Sequence, residues 1–159
     1  MIVVGVDPDT KGCYWFWWDG KTGAFESHKT SGLTEQAKYW NRMFATAPIG
    51  AHLAIEDQYL HPKTPNFKAI KQLILARGIC EGAYRHVVGQ DPIVVHPKTW
   101  QSAVGCSRTD RRDICEATAQ GFTETILKKQ LPNQHVIEAA CIAITTWDKL
   151  RCGDLASGS

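Results

Sequence analysis

Three short apolar runs mark the buried strands of a predicted sheet. Residues 2–7 (IVVGVD) and 51–57 (AHLAIED) end in acidic residues, and 92–97 (PIVVHP) is the third run. Continuous β-branched runs of this length are typical of strands buried on both faces. Two further strands, 13–20 and 24–29, flank the turn-forming DGKTG, so we predict that they form an antiparallel hairpin.

Helical patterns lie between and after these strands. A helix of crossover length joins the third strand to the fourth, so the first and fourth strands should run parallel. The fold class predicted is α/β: a five-stranded mixed sheet, with the first three strands antiparallel, strands 1, 4 and 5 parallel, and helices on both faces. The predicted helices are 34–47, 66–88, 96–104, 110–120 and a last one from 134.

Length and composition are those of one globular domain. The chain has 159 residues, 43% hydrophobic and 21% charged, and no linker long enough to divide it. We therefore expect a single domain at 1–152 and a flexible C-terminal tail at 153–159. No apolar run approaches the roughly 20 residues of a membrane span, and the chain starts in a strand instead of a signal peptide.

The six cysteines show no CxxC motif and no paired metal-ligand spacing. Several lie in apolar segments, which fits free thiols in a reducing compartment better than a disulfide scaffold. We therefore expect a cytoplasmic protein without a membrane partner.

Basic residues are concentrated in the middle of the chain. Residues 61–112 contain nine lysines and arginines against three acidic residues, although the whole chain has a net charge of only +2. Such a region can hold a polyanion. A solvated helix face with spare lysines explains the charge equally well.

Two carboxylates end neighbouring strands of the predicted sheet. Asp7 closes the first strand and Glu56 closes the fourth. Acidic residues are poor strand formers, and α/β sheets place their sites at the carboxyl ends of parallel strands. Strand propensity alone does not account for this pair.

The last helix carries two ionisable residues on an otherwise apolar surface. In NQHVIEAACIAI (133–144), His135 and Glu138 share one side of the first two turns. A buried carboxylate is costly unless a charge or donor meets it. Either Glu138 faces a surface lysine and His135 is a satisfied cap-region residue, or the helix crosses the strand tips and four ligands converge on a divalent metal.

The position of His135 bears on its charge. Asn133 is the predicted N-cap, so His135 falls in the first turn, where the helix dipole disfavours imidazolium. We therefore predict a neutral His135, acting as a metal ligand or as a base. Mg²⁺ prefers oxygen ligands, whereas imidazole favours Mn²⁺ and later metals.

Four segments together resemble a known family. GVDPDTKG, IEDQY, HPKTWQSAVG and HVIEAACIAI resemble, in that order, the four segments of RuvC-type Holliday-junction resolvases, which have an RNase H-like fold. Asp7 and Glu56 match the strand-one aspartate and strand-four glutamate. His135 and Glu138 match the paired positions on the last helix, where the family has Asp or His followed by Asp. Glu138 departs from this pattern by one extra methylene.

The resemblance implies a metal-dependent endodeoxyribonuclease that nicks four-way junctions symmetrically. Its chemistry is similar to two-metal phosphodiester hydrolysis, with Mg²⁺ as the ion and Mn²⁺ as a substitute. Asp7 would bridge the ions, Glu56 and Glu138 would serve one each, and His135 would complete the site. Two symmetric nicks call for a C2 homodimer, with the 66–88 helix and the aromatic second strand as interface candidates. No small-molecule substrate is expected.

Branched DNA is the expected partner. Tyr59 falls where the family has an aromatic that stacks at the junction centre, and Lys98, Arg108, Arg111 and Arg112 are candidates for phosphate contacts. The Trp15–Trp18 run could stack on bases, but its place in a strand favours core and dimer surface. Asp9 and Asp57 adjoin the proposed ligands, and we expect them to lie in solvent or behind the ligands.

Other functions remain open at this point. GVDPDTKG also resembles the phosphate-binding turn of actin-like sugar kinases, but these need two such lobes and a much longer chain. A catalytically inactive junction-binding protein is a second alternative. A nuclease acting on RNA–DNA hybrids or other branched DNA is a third, because the fold does not separate these substrates. The HPKTWQSAVG segment and Tyr59 favour four-way junctions. The short chain and loose match favour a viral or phage relative, which would act in the host cytoplasm.

Overall fold

The computed structural model describes residues 1–58, 67–107 and 109–153. The predicted DNA contacts of Tyr59 and Arg108 lie outside the described residues. So does most of the predicted tail, of which only Gly153 is described. The strands are β1 (Val3–Pro8), β2 (Gly12–Trp18), β3 (Gly23–Lys29), β4 (His52–Glu56) and β5 (Ile93–Val95). The helices are α1 (Leu33–Thr46), α2 (Phe67–Val88), α3 (Pro97–Ala103), α4 (Arg112–Leu127) and α5 (Gln134–Cys152).

The five strands form one mixed sheet in the order β3-β2-β1-β4-β5. β2 pairs antiparallel with β1 and with β3, whereas β4 lies parallel to both β1 and β5. The predicted fold class is therefore confirmed. β1 and β4 lie side by side, and Val6 of β1 is in register with Ile55 of β4. The residue after each, Asp7 or Glu56, stands at the same edge of the sheet.

Side-chain alternation divides the apolar residues between two cores. Val3 of β1 and Ala54 of β4 face α5, which packs over the sheet together with α3 and α4. Val4 and Leu53, one position along each strand, face the opposite core, to which α1 and α2 contribute. Helices therefore cover both faces, as the continuous apolar strands predicted.

The aromatic strand β2 contributes to both cores. Phe16 and Trp18 are buried on the α5 side, while Trp15 and Trp17 pack against the α1 and α2 side. The indole of Trp15 donates to the Tyr39 hydroxyl at 2.7 Å. The predicted place of this run in the core is confirmed. Its predicted role in a dimer interface stays a prediction, and because β2 is paired on both sides it offers no free strand edge.

Helix α4 is longer than predicted. The sequence indicated an end near residue 120, but the helix continues to Leu127, where Lys128 adopts a left-handed conformation with φ 55°. Gly121 and Thr123 are weak helix formers, which explains the error. Thr123 is fully buried and Phe122 packs against the α5-side core, so tertiary contacts outweigh local propensity. The other element boundaries agree with the predictions to within two residues.

Two expectations from the sequence concern the cysteines, which were predicted to be free thiols, and membranes, for which no spanning segment was predicted. All six cysteines are free, and Cys13, Cys80, Cys106 and Cys141 are buried. Across the described ranges, no helix combines the length and apolarity needed to cross a membrane.

Candidate active site

Asp7 and Glu56 point towards the same face of the sheet. Asp7 has the same side-chain parity as Val3, and Glu56 has that of Ala54, so both carboxylates lie on the face covered by α5. Asp7 is only 5% exposed, and Glu56 is partly buried. The edge of the sheet therefore presents two acidic side chains to the start of α5.

A glycine in β1 lets α5 approach the sheet closely. A Cβ atom on Gly5 would lie 2.1 Å from the carbonyl oxygen of Ala139 and 2.6 Å from the amide nitrogen of Ala143. No side chain fits at this position without moving the helix. Asn133 caps the helix by accepting a hydrogen bond from the Val136 amide at 3.0 Å. The first turn of α5, with His135 and Glu138, is thus held against the strand tips.

His135 is enclosed by two aspartates and a tyrosine. Its Nδ1 lies 2.7 Å from Asp7 Oδ2, and its Nε2 lies 3.4 Å from Asp9 Oδ2. The Tyr14 ring stacks on the imidazole with centroids 4.5 Å apart. Tyr14 is the residue opposite Asp7 in the β1–β2 ladder. Asp9 therefore lies behind a proposed ligand, one of the two positions expected for it, and sequence reasoning missed Tyr14.

The pKa of His135 is shifted in the direction opposite to that expected from the helix dipole. Its hydrogen bond with Asp7 raises the pKa of His135 above the usual value, and this effect outweighs partial burial, which lowers the pKa. The helix dipole on which the prediction rested is weaker than a carboxylate at hydrogen-bond distance. His135 is therefore more readily protonated than an ordinary histidine.

Glu56 is held by two donors that the sequence did not identify. Trp100 Nε1 donates to Glu56 Oε1 at 2.7 Å, and Gln58 Nε2 donates to Oε2 at 3.1 Å. Burial, followed by the negative charge of Asp7, raises the pKa of Glu56 to about 8. The hydrogen bond from Trp100 acts in the opposite direction.

Glu138 faces the acidic cluster and not a surface lysine. Its Oε1 accepts a hydrogen bond from Gln134 Nε2 at 2.9 Å. Burial and the nearby charge of Asp7 raise the pKa of Glu138 to about 7, while the positive charge of Arg112 opposes this shift. The structural interpretation of His135 and Glu138 as an ordinary cap residue and a solvated glutamate does not fit these surroundings.

The donor set suits a hard divalent cation. Burial raises the pKa of Asp7, Glu56 and Glu138, and Asp7 raises the pKa of both glutamates through its charge. A bound cation would relieve this repulsion, and carboxylate oxygens are the ligands that Mg²⁺ prefers. Each carboxylate is hydrogen-bonded to a side chain of the protein. Among the described residues, no three His, Cys, Asp or Glu side chains are already arranged to hold a metal ion. Coordination would require some of these side chains to turn.

A cleft of about 460 Å³ opens beside the two glutamates. Glu56 and Glu138 line it together with Lys98 and Arg112, so the structure brings two of the predicted phosphate contacts to the acidic cluster. Arg112 also pairs with Glu116 at 2.6 Å. Arg111 is exposed, pairs with Asp113 at 2.6 Å, and is not among the residues that line the cleft.

Part of the central basic charge is neutralised within α2 and its surroundings. Arg77 forms ion pairs with Asp57 and Glu81, and Arg85 pairs with Glu81 and Asp91. Asp57 is thus turned away from Glu56, as strand alternation predicted. These two arginines fit the interpretation of the charge as a helix surface, whereas Lys98 and Arg112 fit the interpretation as a polyanion site.

Comparison with solved structures identifies the fold. The chain is similar to the Thermus thermophilus RuvC structure, with a TM-score of 0.71, 18% sequence identity, and coverage of 96% of this chain and 97% of that chain. It is similar to T. thermophilus RuvC in complex with Holliday junction substrate, with a TM-score of 0.70, 18% identity, and coverage of 96% of each chain. Neither a protein-family model nor a curated protein matches the sequence. The chain therefore has the RuvC fold, which is RNase H-like, and the resemblance noted in the sequence is confirmed at the level of the fold.

Proposed function

We propose that the protein is a metal-dependent, structure-specific endodeoxyribonuclease that resolves four-way DNA junctions by paired symmetric nicks. The observation that carries this proposal is the convergence of Asp7, Glu56, His135 and Glu138 at one edge of a RuvC fold. These residues come from β1, β4 and α5, and their clustering is costly unless a cation binds there. One of the similar structures is a RuvC bound to a Holliday junction substrate, which supports branched DNA as the partner.

The proposed cofactor is Mg²⁺, with Mn²⁺ as a substitute and two ions in each site. Asp7, Glu56 and Glu138 would hold the ions through their carboxylates. The chemistry that such ions supply when bound is activation of a water molecule and stabilisation of the leaving oxygen. The side chains of this protein supply the negative charge that gathers the ions, and α5 sets the distance between Glu138 and the strand tips.

His135 has two possible roles, as a ligand or as a base. Its Nδ1 is engaged by Asp7, so the proton-accepting or metal-binding atom is Nε2, whose contact with Asp9 is the longer one at 3.4 Å. The stack with Tyr14 keeps the ring plane fixed in either role. A base must give up its own proton first, and the raised pKa of His135 places that requirement at a higher pH than for a free histidine.

DNA phosphates would bind at the cleft by contacting its cationic side chains. Lys98 and Arg112 line the cleft beside Glu56 and Glu138, and the exposed Arg111 lies next to Arg112 in the chain. Such contacts hold the backbone in register without reading sequence. Tyr59 and Arg108 remain predicted contacts.

A homodimer is part of the proposal, because one active site cannot make two symmetric nicks at once. Helix α2 presents a suitable surface: Phe67 is 64% exposed and Leu75 is 43% exposed. Gly78 and Gly82 continue the same side of the helix, with open space beyond their Cα atoms. A second helix could approach closely there.

A panel of labelled substrates tests the proposal. The protein is incubated with a four-way junction, a matched duplex, a flap and an RNA–DNA hybrid, in Mg²⁺, in Mn²⁺ and in a chelator. We expect metal-dependent, symmetric nicks in the junction and slower cleavage of the rest. Faster cleavage of the hybrid would identify an RNase H activity instead. Tight junction binding without cleavage in either metal would identify an inactive binding protein.

A further inference from the structure

The deeply buried indole of Trp100 donates its hydrogen bond to the carboxylate of Glu56. Trp100 is 3% exposed and belongs to the α5-side core. An indole N–H at this depth needs an acceptor. The acceptor is Glu56 Oε1 at 2.7 Å, a charged group at the candidate active site.

The backbone fixes how far Trp100 stands from Glu56. Glu56 is in register with Val95 in the parallel β4–β5 pair, and the next amide, that of Asp57, donates to the Val95 carbonyl at 2.8 Å. Helix α3 starts two residues later at Pro97, with His96 as its N-cap. Trp100 therefore lies in the first turn of a capped helix, anchored directly to the strand that neighbours Glu56.

We propose that Trp100 is a positioning residue that holds the Glu56 carboxylate in the orientation needed for metal binding. The inference rests on the proposed function. With Trp100 on Oε1 and Gln58 on Oε2, the carboxylate is restrained at both oxygens. A carboxylate accepts about four hydrogen bonds or ligands in all, so each oxygen keeps a free direction for a cation.

Other tryptophan side chains in the described part of the chain donate to a different kind of acceptor. Trp15 Nε1 donates to the Tyr39 hydroxyl at 2.7 Å, and Trp147 Nε1 donates to the Met1 carbonyl at 3.2 Å. Both acceptors are neutral groups outside the candidate active site. The bond from Trp100, also 2.7 Å long, goes instead to an ionisable carboxyl group at the candidate active site. Trp15 thus provides a matched control with the same donor and the same distance.

The test compares Trp100→Phe with Trp15→Phe in the full-length protein. Both variants keep an aromatic ring and lose one indole N–H. We expect Trp100→Phe to weaken Mn²⁺ binding, measured by calorimetry without DNA, by about tenfold or more, which is typical when a group supporting a ligand is removed. Junction cleavage should fall to a similar extent, while junction affinity in a chelator stays unchanged. Trp15→Phe should leave metal affinity and cleavage at the wild-type level.

A double-mutant cycle shows whether Trp100 acts through Glu56. In a Glu56→Gln background, Trp100→Phe should have little further effect on Mn²⁺ affinity, because Glu56→Gln has already removed the metal-binding carboxylate that Trp100 orients. Equal, additive losses in both backgrounds would show that Trp100 supports packing only. Equal behaviour of Trp100→Phe and Trp15→Phe would also overturn the inference, and so would tighter metal binding by Trp100→Phe, which would show that the indole competes with the ion.

A measurement on the wild type keeps the inference testable if Trp100→Phe does not fold. In protein labelled with ¹⁵N-tryptophan, the indole signal that shifts most in Glu56→Gln should also shift on Mg²⁺ addition. No indole response to Mg²⁺ would contradict the inference. The proposed function fails in a distinguishable way: wild-type protein would then neither bind Mn²⁺ nor cut any junction.

Discussion

The imidazole Nδ1 of His135 lies 2.7 Å from Oδ2 of Asp7, which joins two side chains 128 positions apart in the chain. This contact connects the tip of β1 with the first turn of α5. Around it stand Tyr14, stacked on the ring, and Asp9, beside the other ring nitrogen. The geometry of the whole acidic cluster therefore depends on how α5 docks onto β1.

Removing the imidazole should slow cleavage severely. His135→Ala is expected to lower the single-turnover rate by roughly 10²–10⁴-fold, the usual range for loss of an acid–base group, with junction binding retained. The rate is measured across pH in Mg²⁺ and in Mn²⁺: a pH-dependent deficit identifies a base, and a metal-dependent deficit identifies a ligand. His28→Ala is the control, because His28 also stacks on a tyrosine, at 4.8 Å, but outside the site. Wild-type cleavage by His135→Ala would contradict both roles.

The stability of the metal-free protein should fall as pH rises. The folded pKa values of about 8 for Glu56 and about 7 for Glu138 lie above the ordinary value of 4.5, so the folded state binds protons more tightly than the unfolded chain. This contribution is complete below about pH 4.5 and is lost as pH rises towards 7 and 8. Thermal denaturation in a chelator should thus give a lower Tm at about pH 8 than at about pH 6. Mg²⁺ should restore the Tm at the higher pH, and a chelator curve that rises over this range would contradict the account.

Gly5 should be essential to the site although it contacts no substrate. Gly5→Ala places a methyl group 2.1 Å from the Ala139 carbonyl, so we expect a loss of about 1–3 kcal/mol in the free energy of unfolding. Cleavage should fall further, because a displaced α5 carries His135 and Glu138 with it. Gly121→Ala, in open space on α4, should be neutral or stabilising by up to about 1 kcal/mol. Denaturant titrations of both variants check this, and equal effects would show that α5 has room to move.

Helix α2 should hold the dimer together. Leu75→Glu puts a charge on the exposed side of the helix and should shift the protein towards monomers, with the fold retained. Ile49→Glu is the control, because Ile49 is fully exposed and lies outside α2. Sedimentation with and without a junction measures the outcome. A wild-type protein that stays strictly monomeric even on a junction would rule out the dimer.

Much of the fold could be predicted from the sequence because the spacing of apolar residues indicates which side chains are buried. The continuous apolar strands predicted helices on both faces, and the parallel pairing of β1 and β4 predicted that Asp7 and Glu56 stand at one edge of the sheet. Alternation along the strands also placed Asp57 correctly, away from Glu56. These inferences succeed because they depend on local pattern and on the parallel pairing of two strands.

The remaining features depend on contacts that no local pattern records. Nothing in the sequence singled out Trp100, because only the β4–β5 register brings its N–H to Glu56. The upward shift in the pKa of His135 was missed because its main cause, Asp7, lies far away in the chain. The predicted end of α4 was too early because its weak helix formers are stabilised by burial, which the local sequence does not show. The contact between Gln134 and Glu138 could have been predicted, because the two residues lie one helical turn apart and side chains at this spacing meet on a helix.

The most direct test of the account is junction cleavage by Glu138→Gln beside junction cleavage by Glu124→Gln. The two glutamates are matched, because each accepts a hydrogen bond from the glutamine one helical turn before it, at 2.9 Å for Glu138 and 2.8 Å for Glu124. Glu138→Gln should bind the junction as tightly as the wild type, because losing a negative charge cannot weaken contacts to phosphate. Its single-turnover cleavage in Mg²⁺ should be nearly abolished, while Glu124→Gln cleaves normally. Wild-type cleavage by Glu138→Gln would show that Glu138 is structural and that the proposed metal site is wrong.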